Sequence, residues 1–269
     1  AIPVKDDTGE ITMWIGANTD IQKLKEEEKR KEDFLKIVSH ELKTPITSIK
    51  GYTQILLSLM EDENEMSKNL IHVKPSLQRI DSQITRLTRL ISEMLDVDRI
   101  NENQLNFNIE TFSLNELVQN TIADIENAYR QTHINLQLEI SCLVNADKDR
   151  IGQVLINFIT NAIKYSPDDK NIEVRVFQTN VKMVSVSVKD HGIGIEKKDQ
   201  QNIFKRFFRV SGKNEETYAG FGIGLYLASE IIERHKGKIR VKSKKGNGSE
   251  FIFTLPVNTK PTTKIEKDK

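Results

Sequence analysis

Cysteine is almost missing from this chain: Cys142 is the only one in 269 residues. No intramolecular disulfide can form, and a reducing, cytoplasmic setting is the simplest reading. Cys142 lies in an apolar, strand-like stretch, where a buried inert thiol is expected. Proline is scarce as well, at 6 residues, so long uninterrupted helices are allowed. An excess of charge is also lacking, since 40 Lys and Arg face 39 Asp and Glu. That balance speaks against a nucleic-acid or anionic-membrane partner, which would call for a basic stripe. Apolar runs never reach the roughly 20 residues needed to span a bilayer, and no signal-peptide pattern opens the chain. A membrane anchor upstream is not excluded by these absences.

What is present divides the chain into parts. Residues 1–20 read as a β-hairpin, with Asp6-Asp7-Thr8-Gly9 as the turn and Ile11–Ile15 as a strand. Two strands alone are marginal in water, so this hairpin reads as the end of a larger domain. From residue 21 to 101 the pattern is helical. Ile21, Leu24, Leu35, Val38, Leu42, Ile49, Tyr52, Leu56 and Leu59 keep one heptad phase. After a polar break at 61–66, Leu70, Val73, Leu77, Ile80, Ile84, Leu87, Ile91 and Met94 form a second seam, with Pro75 kinking that helix or marking its start. An antiparallel hairpin buries two such stripes poorly, which predicts a homodimeric four-helix bundle.

Beyond residue 101 the pattern turns to mixed α and β, consistent with a two-layer α/β sandwich over 106–257. Ser113 and Glu116 read as a capping box for a helix over 114–130. Further helices are expected at 148–164 and 223–236. Strands are expected at 134–140, 172–178, 182–190, 239–243 and 249–255. The lysine-rich stretch 258–269 reads as a disordered tail.

Within the first helix, inward Leu35, Val38 and Leu42 place His40 on the outer face. An imidazole is largely neutral near pH 7 and offers a lone pair. Glu41 could take the other ring N–H, and Thr44, one turn on, shares the surface. Pro45 removes a hydrogen bond to the carbonyl of Glu41 and should bend the helix beside His40. A lone exposed histidine is more often an ordinary surface residue. A zinc-protease reading needs a second histidine where Thr44 stands, and fails.

Along 148–164, Ile151, Leu155, Phe158 and Ala162 make one stripe, and Asn157, Asn161 and Lys164 another. Two carboxamides and an ammonium suit a phosphate–magnesium site; a solvated polar face is the bland alternative. In the next strand Val184, Val186 and Val188 share a face with Asp190. A carboxylate ending a buried face needs a partner, either an adenine amine or an Asx-turn. Gly192 and Gly194 allow close backbone approach. Gly220, Gly222 and Gly224 open a helix beginning at Leu225, where free N–H groups and the helix dipole favour phosphate. There is neither a GxxxxGK[ST] loop nor the HRD and DFG elements of Ser/Thr/Tyr kinases.

Taken together these strings resemble a known family. FLKIVSHELKTPI, residues 34–46, resembles the H-box of sensor histidine kinases. INFITNAIKYSP resembles their N-box, DHGIGI the first glycine box, IFKRFFR the F-box and GFGIGLYLASEII the second glycine box. The opening residues look like the last strands of a PAS sensor domain. The resemblance implies ATP and Mg²⁺ as cofactors, with His40 as phosphoacceptor and a response-regulator receiver domain as partner. It implies that Asn161 binds Mg²⁺, with Asn157 in support. Lys164 would contact phosphate, Tyr165 lie along adenine and Asp190 recognise it. Arg209 would reach the γ-phosphate, and Glu41 and Thr44 serve the kinase and phosphatase steps. His191 departs from the usual Asn or Thr, and Phe221 is bulkier than the usual Thr or Ser. Two rivals remain: an adaptor that binds the regulator without turnover, and a chaperone-type ATPase needing no nucleophilic histidine.

Overall fold

The computed structural model describes residues 2–16, 20–61, 66–102, 106–129, 132–166, 171–210 and 221–258. The expected lid at 210–219 lies outside these residues apart from Val210, and so does Gly220. Of the expected tail only Asn258 is described, and its N–H donates to the Leu143 carbonyl at 2.9 Å.

Strands β1 (Ile2–Lys5) and β2 (Ile11–Ile15) pair antiparallel. Their turn is fixed by Asp6, whose Oδ1 accepts the N–H groups of Thr8 at 2.9 Å and Glu10 at 3.0 Å. Met13 and Trp14 stay exposed, at 56% and 62%, as expected of a hairpin without a covering layer.

Helix α1 (Gln22–Glu61) carries Pro45 without ending there. Helix α2 (Met66–Asn101) likewise runs through Pro75, so Pro75 does not mark its start. The Tyr52–Arg79 contact at 2.9 Å and the Glu41–Arg86 pair at 2.7 Å show that the two helices run antiparallel. Only one stripe of each is covered. Phe34, Val38, Leu90 and Val97 are buried, whereas Leu35 is 54% exposed. Leu35, which the heptad phase turns toward the bundle, is left uncovered by its own hairpin, and Phe34 beside it is buried against Phe207. Leu35, Ile46, Leu77, Ile84, Ile91 and Leu95 form an uncovered apolar set. No helix among the described residues is long and apolar enough to cross a membrane.

The C-terminal part is a five-stranded sheet backed by three helices. The strands are β4 (His133–Leu138), β6 (Asn171–Asn180), β7 (Met183–Lys189), β8 (Lys238–Ser243) and β9 (Ser249–Pro256), in the order β4-β6-β7-β9-β8. Only β4 and β6 are parallel. Period-two alternation sends one row inward: Val174 lies opposite Val188, and Val188 opposite Phe251; one step along, Val176 meets Val186 and Val186 meets Phe253. Helices α3 (Leu114–Ala128), α4 (Lys148–Tyr165) and α5 (Gly224–Arg234) cover that face with Val118, Leu155, Phe158 and Ile231. Ser113 caps α3, accepting the Glu116 N–H at 3.3 Å. Two strands were not expected, β3 (Ile109–Ser113) and β5 (Leu143–Asp147), which pair with each other. Cys142 sits just before β5, half-buried and outside any strand, which corrects its expected place. Burial pushes its thiol pKa up, in keeping with an inert group.

His235 ties α5 to the start of α4. Its Nε2 accepts the Asp147 N–H at 3.0 Å, so Nδ1 carries the hydrogen and donates to the Ile231 carbonyl at 2.7 Å. Replacing His235 with alanine leaves a buried N–H unpaired and is expected to cost about 2 kcal/mol. Urea unfolding checks this; an unchanged midpoint would count against it.

Candidate functional site

His40 is exposed on α1, as the helical phase requires. Glu41 does not follow it to the surface. It is 8% exposed and its Oε2 accepts from Arg86 Nη2 at 2.7 Å. The expected contact of Glu41 with the His40 ring is thus replaced by an ion pair across the hairpin, because a buried carboxylate needs a charged partner. Thr44 donates its hydroxyl to the His40 carbonyl at 3.1 Å, the usual return bond of a threonine inside a helix.

The second half of the site is built on α4. Asp147 caps it, accepting the Arg150 N–H at 3.0 Å. Asn161 Nδ2 donates to Asn157 Oδ1 at 3.0 Å, which leaves the Asn161 carbonyl oxygen as the acceptor available to a ligand. Asn157 in turn lies against the start of α5: a Cβ on Gly224 would fall 2.0 Å from its Nδ2. A side chain there would push the Asn157 carboxamide aside. Leu225 occupies the first turn of α5, and the cap residue Ile223 makes no side-chain cap bond. The early N–H groups of α5 therefore receive no side-chain acceptor from that cap.

Lys164 Nζ stands 4.7 Å from the Tyr165 ring centroid. Burial, with the nearby Arg209 guanidinium, lowers its pKa to about 8, while Glu41 pulls the other way. The structure therefore brings Lys164, Arg209 and Glu41 into one electrostatic neighbourhood, though they come from α4, the 203–209 stretch and α1.

Asp190, 4% exposed, ends the buried row of β7. Its Oδ1 accepts the N–H of Gly192 at 2.9 Å and of Ser249 at 3.1 Å, with the Ser166 hydroxyl at 3.5 Å. Burial raises its pKa against these donors. The Asx-turn expected as the alternative is present, and Oδ2 stays outside these three contacts. Gly192 packs on the end of α4, where a Cβ would stand 2.0 Å from the Tyr165 carbonyl oxygen. Gly194 and Gly222 adopt φ of +60° and +68°. His191 turns away to Glu173, 3.1 Å from its Oε1.

Residues not foreseen also contribute. Ser166, Gly248 and Ser249 hold the Asp190 loop, a Cβ on Gly248 lying 2.0 Å from the Asp190 carbonyl. Their one legible sign was the Gly246-Asn-Gly248 turn before β9.

Two stretches of the chain match known domain families. Residues 30–103 match the His Kinase A (phospho-acceptor) domain. Residues 146–259 match the histidine kinase-, DNA gyrase B-, and HSP90-like ATPase. The chain belongs to the sensor histidine kinases. Among relatives of this family, the sensor protein kinase WalK of Staphylococcus saprophyticus is 30% identical over 255 residues, 94% of this chain and 41% of that protein. WalK of Staphylococcus aureus is equally similar, with 60% of its length matched. The chain thus spans about half the length of the curated relatives it matches. Histidine kinase ThkA, solved in complex with response regulator protein TrrA, is 26% identical with a TM-score of 0.55, over 95% of this chain and 73% of that one. Acinetobacter baumannii histidine kinase AdeS is 25% identical with a TM-score of 0.59, over 81% and 98%.

Proposed function

We propose that this chain binds ATP with Mg²⁺ on its C-terminal domain, phosphorylates its own His40, and passes the phosphoryl group to an aspartate of a response-regulator receiver domain. The observation that carries this reading is the meeting of Asn161, Lys164, Arg209 and Asp190 in one domain whose charged edge adjoins Glu41, beside an exposed His40. Asp190 receives the adenine amine through its second oxygen, and Tyr165 borders the base. Asn161 offers an amide oxygen, the hard donor that Mg²⁺ prefers; when bound, the ion offsets charge on the phosphates. Lys164 and Arg209 offset charge on the transferring group. One imidazole nitrogen of His40 bonds to the γ-phosphorus as the bond to the ADP oxygen breaks. The proton of the other nitrogen goes to Glu41, which must first turn from Arg86. Thr44 is positioned to orient water for dephosphorylation of the partner.

The uncovered apolar set on α1 and α2 fits a second copy of the chain, giving the homodimeric bundle. Residues 1–20 fit the closing strands of a PAS domain, and a cytoplasmic place follows from ATP use. Incubation with γ-labelled ATP tests the reading. Label on wild type, absent from His40→Ala and removed by chelation of Mg²⁺, is expected; equal label on His40→Ala would refute it.

The lowered pKa of Lys164 carries a pH dependence. Phosphate favours the charged ammonium, and above about 8 the ATP-free protein loses it. ATP affinity should therefore fall as pH rises from 7 to 9.5, by up to about tenfold per unit. The Lys164→Met variant should show a flat profile in calorimetry, and a slope kept by that variant would assign the effect elsewhere. The same sign makes the fold gain stability between about 8 and the ordinary value of 10.5, because burial disfavours the charged form.

A further inference from the structure

Asp190 is gripped from two sides. On the inner side its Oδ1 takes the N–H groups of Gly192 and Ser249. Gly248 packs on the same backbone, a Cβ there standing 2.8 Å from the His191 Cα. On the outer side lies a second grip. Alternation turns Lys189 and His191 away from the row that Asp190 ends, and one oxygen on β6 meets both. Glu173 Oε1 accepts from Lys189 Nζ at 2.7 Å and lies 3.1 Å from His191 Nε2. The Lys189 ammonium, helped by His191, lowers the Glu173 pKa against the effect of burial, so the group is a carboxylate. A carboxylate only accepts, and Nε2 therefore carries the hydrogen.

Part-exposed ion pairs of this kind contribute little to global stability. The side chains of Glu173, Lys189 and His191 are between 30% and 43% exposed, so removing one opens no hole in the core. What distinguishes them is their place. Lys189 and His191 stand on either side of Asp190, the residue assigned to the adenine amine. Gly192 has no side chain to anchor, which makes His191 the first handle on the loop beyond Asp190. Asn or Thr, usual at this position, would reach only about as far as the near ring nitrogen. The carboxylate is met by the far one, so the longer side chain makes a contact that the usual residues do not.

We propose, on the ATP-binding reading above, that Glu173, Lys189 and His191 form a brace that positions Asp190 for the adenine amine, with His191 as a positioning residue for base recognition. Inosine diphosphate separates this role from a merely structural one, because it carries an oxygen where adenine has the amine. Calorimetric titration of the full chain with Mg²⁺ and either adenosine or inosine diphosphate avoids phosphoryl transfer. Wild type should bind the adenosine form more tightly. His191→Ala and Glu173→Ala should each bind it on the order of two- to fivefold more weakly, with inosine diphosphate affinity unchanged. The double variant should match Glu173→Ala alone. His191→Gln, whose amide can reach the same carboxylate, should keep the wild-type preference. Equal weakening for both nucleotides would reduce the triangle to a structural contact and overturn the brace. So would wild-type preference for adenosine diphosphate in both alanine variants. Wild type that binds neither nucleotide would instead sink the ATP-binding reading, and the brace with it.

Discussion

Alanine at Asn161 is expected to lower autophosphorylation by about 100-fold or more while leaving the fold intact. The side chain has two jobs. Its nitrogen donates to Asn157 at 3.0 Å, and its oxygen is the atom we assign to Mg²⁺. Losing a metal ligand at a transferring phosphoryl group removes several kcal/mol of charge stabilisation, and each 1.36 kcal/mol is about tenfold in rate. The structural part is small by comparison, since a half-buried amide pair contributes about 1 kcal/mol. Labelling rate and thermal midpoint, measured together, separate the two. A rate that falls only as far as folding falls would deny Asn161 the metal.

Gly192→Ala should be nearly as damaging, by a different route. Its Cβ would stand 2.0 Å from the Tyr165 carbonyl and 2.6 Å from Ser166 Oγ. A backbone oxygen at the end of α4 cannot step aside as a side chain does, so the loop or the helix end must move. Such overpacking costs about 1–3 kcal/mol, and the shift falls between Asp190 and Tyr165, the two groups assigned to adenine. ATP affinity is expected to drop by on the order of 10- to 100-fold, while β7 and β9 keep their pairing. Calorimetric titration with ATP checks this, and wild-type affinity would show that the loop tolerates the displacement.

The fold was legible where a periodic pattern met a buried face. Val184, Val186, Val188 and Asp190 disclosed β7 and its functional end because one face is wholly covered. The polar stripe of α4 disclosed Asn157, Asn161 and Lys164 in the same way. Strands β3 and β5 escaped notice because each has five residues and lies outside the five-stranded sheet, so neither shows a sustained alternation. On α1 the heptad phase names Leu35 and Val38 together, and a single chain covers only Val38. Periodicity alone could not tell the stripe closed within one chain from the stripe left uncovered, since both are apolar.

Long-range partners were not legible at all. Arg86 lies 45 residues from Glu41, and Ser249 lies 59 from Asp190; nothing local marks either as a partner. The Glu41–Arg86 pair has a consequence for the chemistry, because the carboxylate meant to take the His40 proton is held by a guanidinium on α2.

In the proposed reaction the phosphoryl group resides on His40. Ser39 and Thr44 flank it with hydroxyls of their own, but each is spent on a helix carbonyl, Ser39 on Leu35 at 2.9 Å and Thr44 on His40 at 3.1 Å. The most direct measurement is tandem mass spectrometry of the chain after Mg-ATP treatment, with peptides prepared in alkali to preserve phosphohistidine. One phosphoryl group is expected in the peptide spanning α1, on the His40 imidazole and lost on acid treatment. An acid-stable phosphate on Ser39 or Thr44, or a phosphoryl group outside α1, would contradict it.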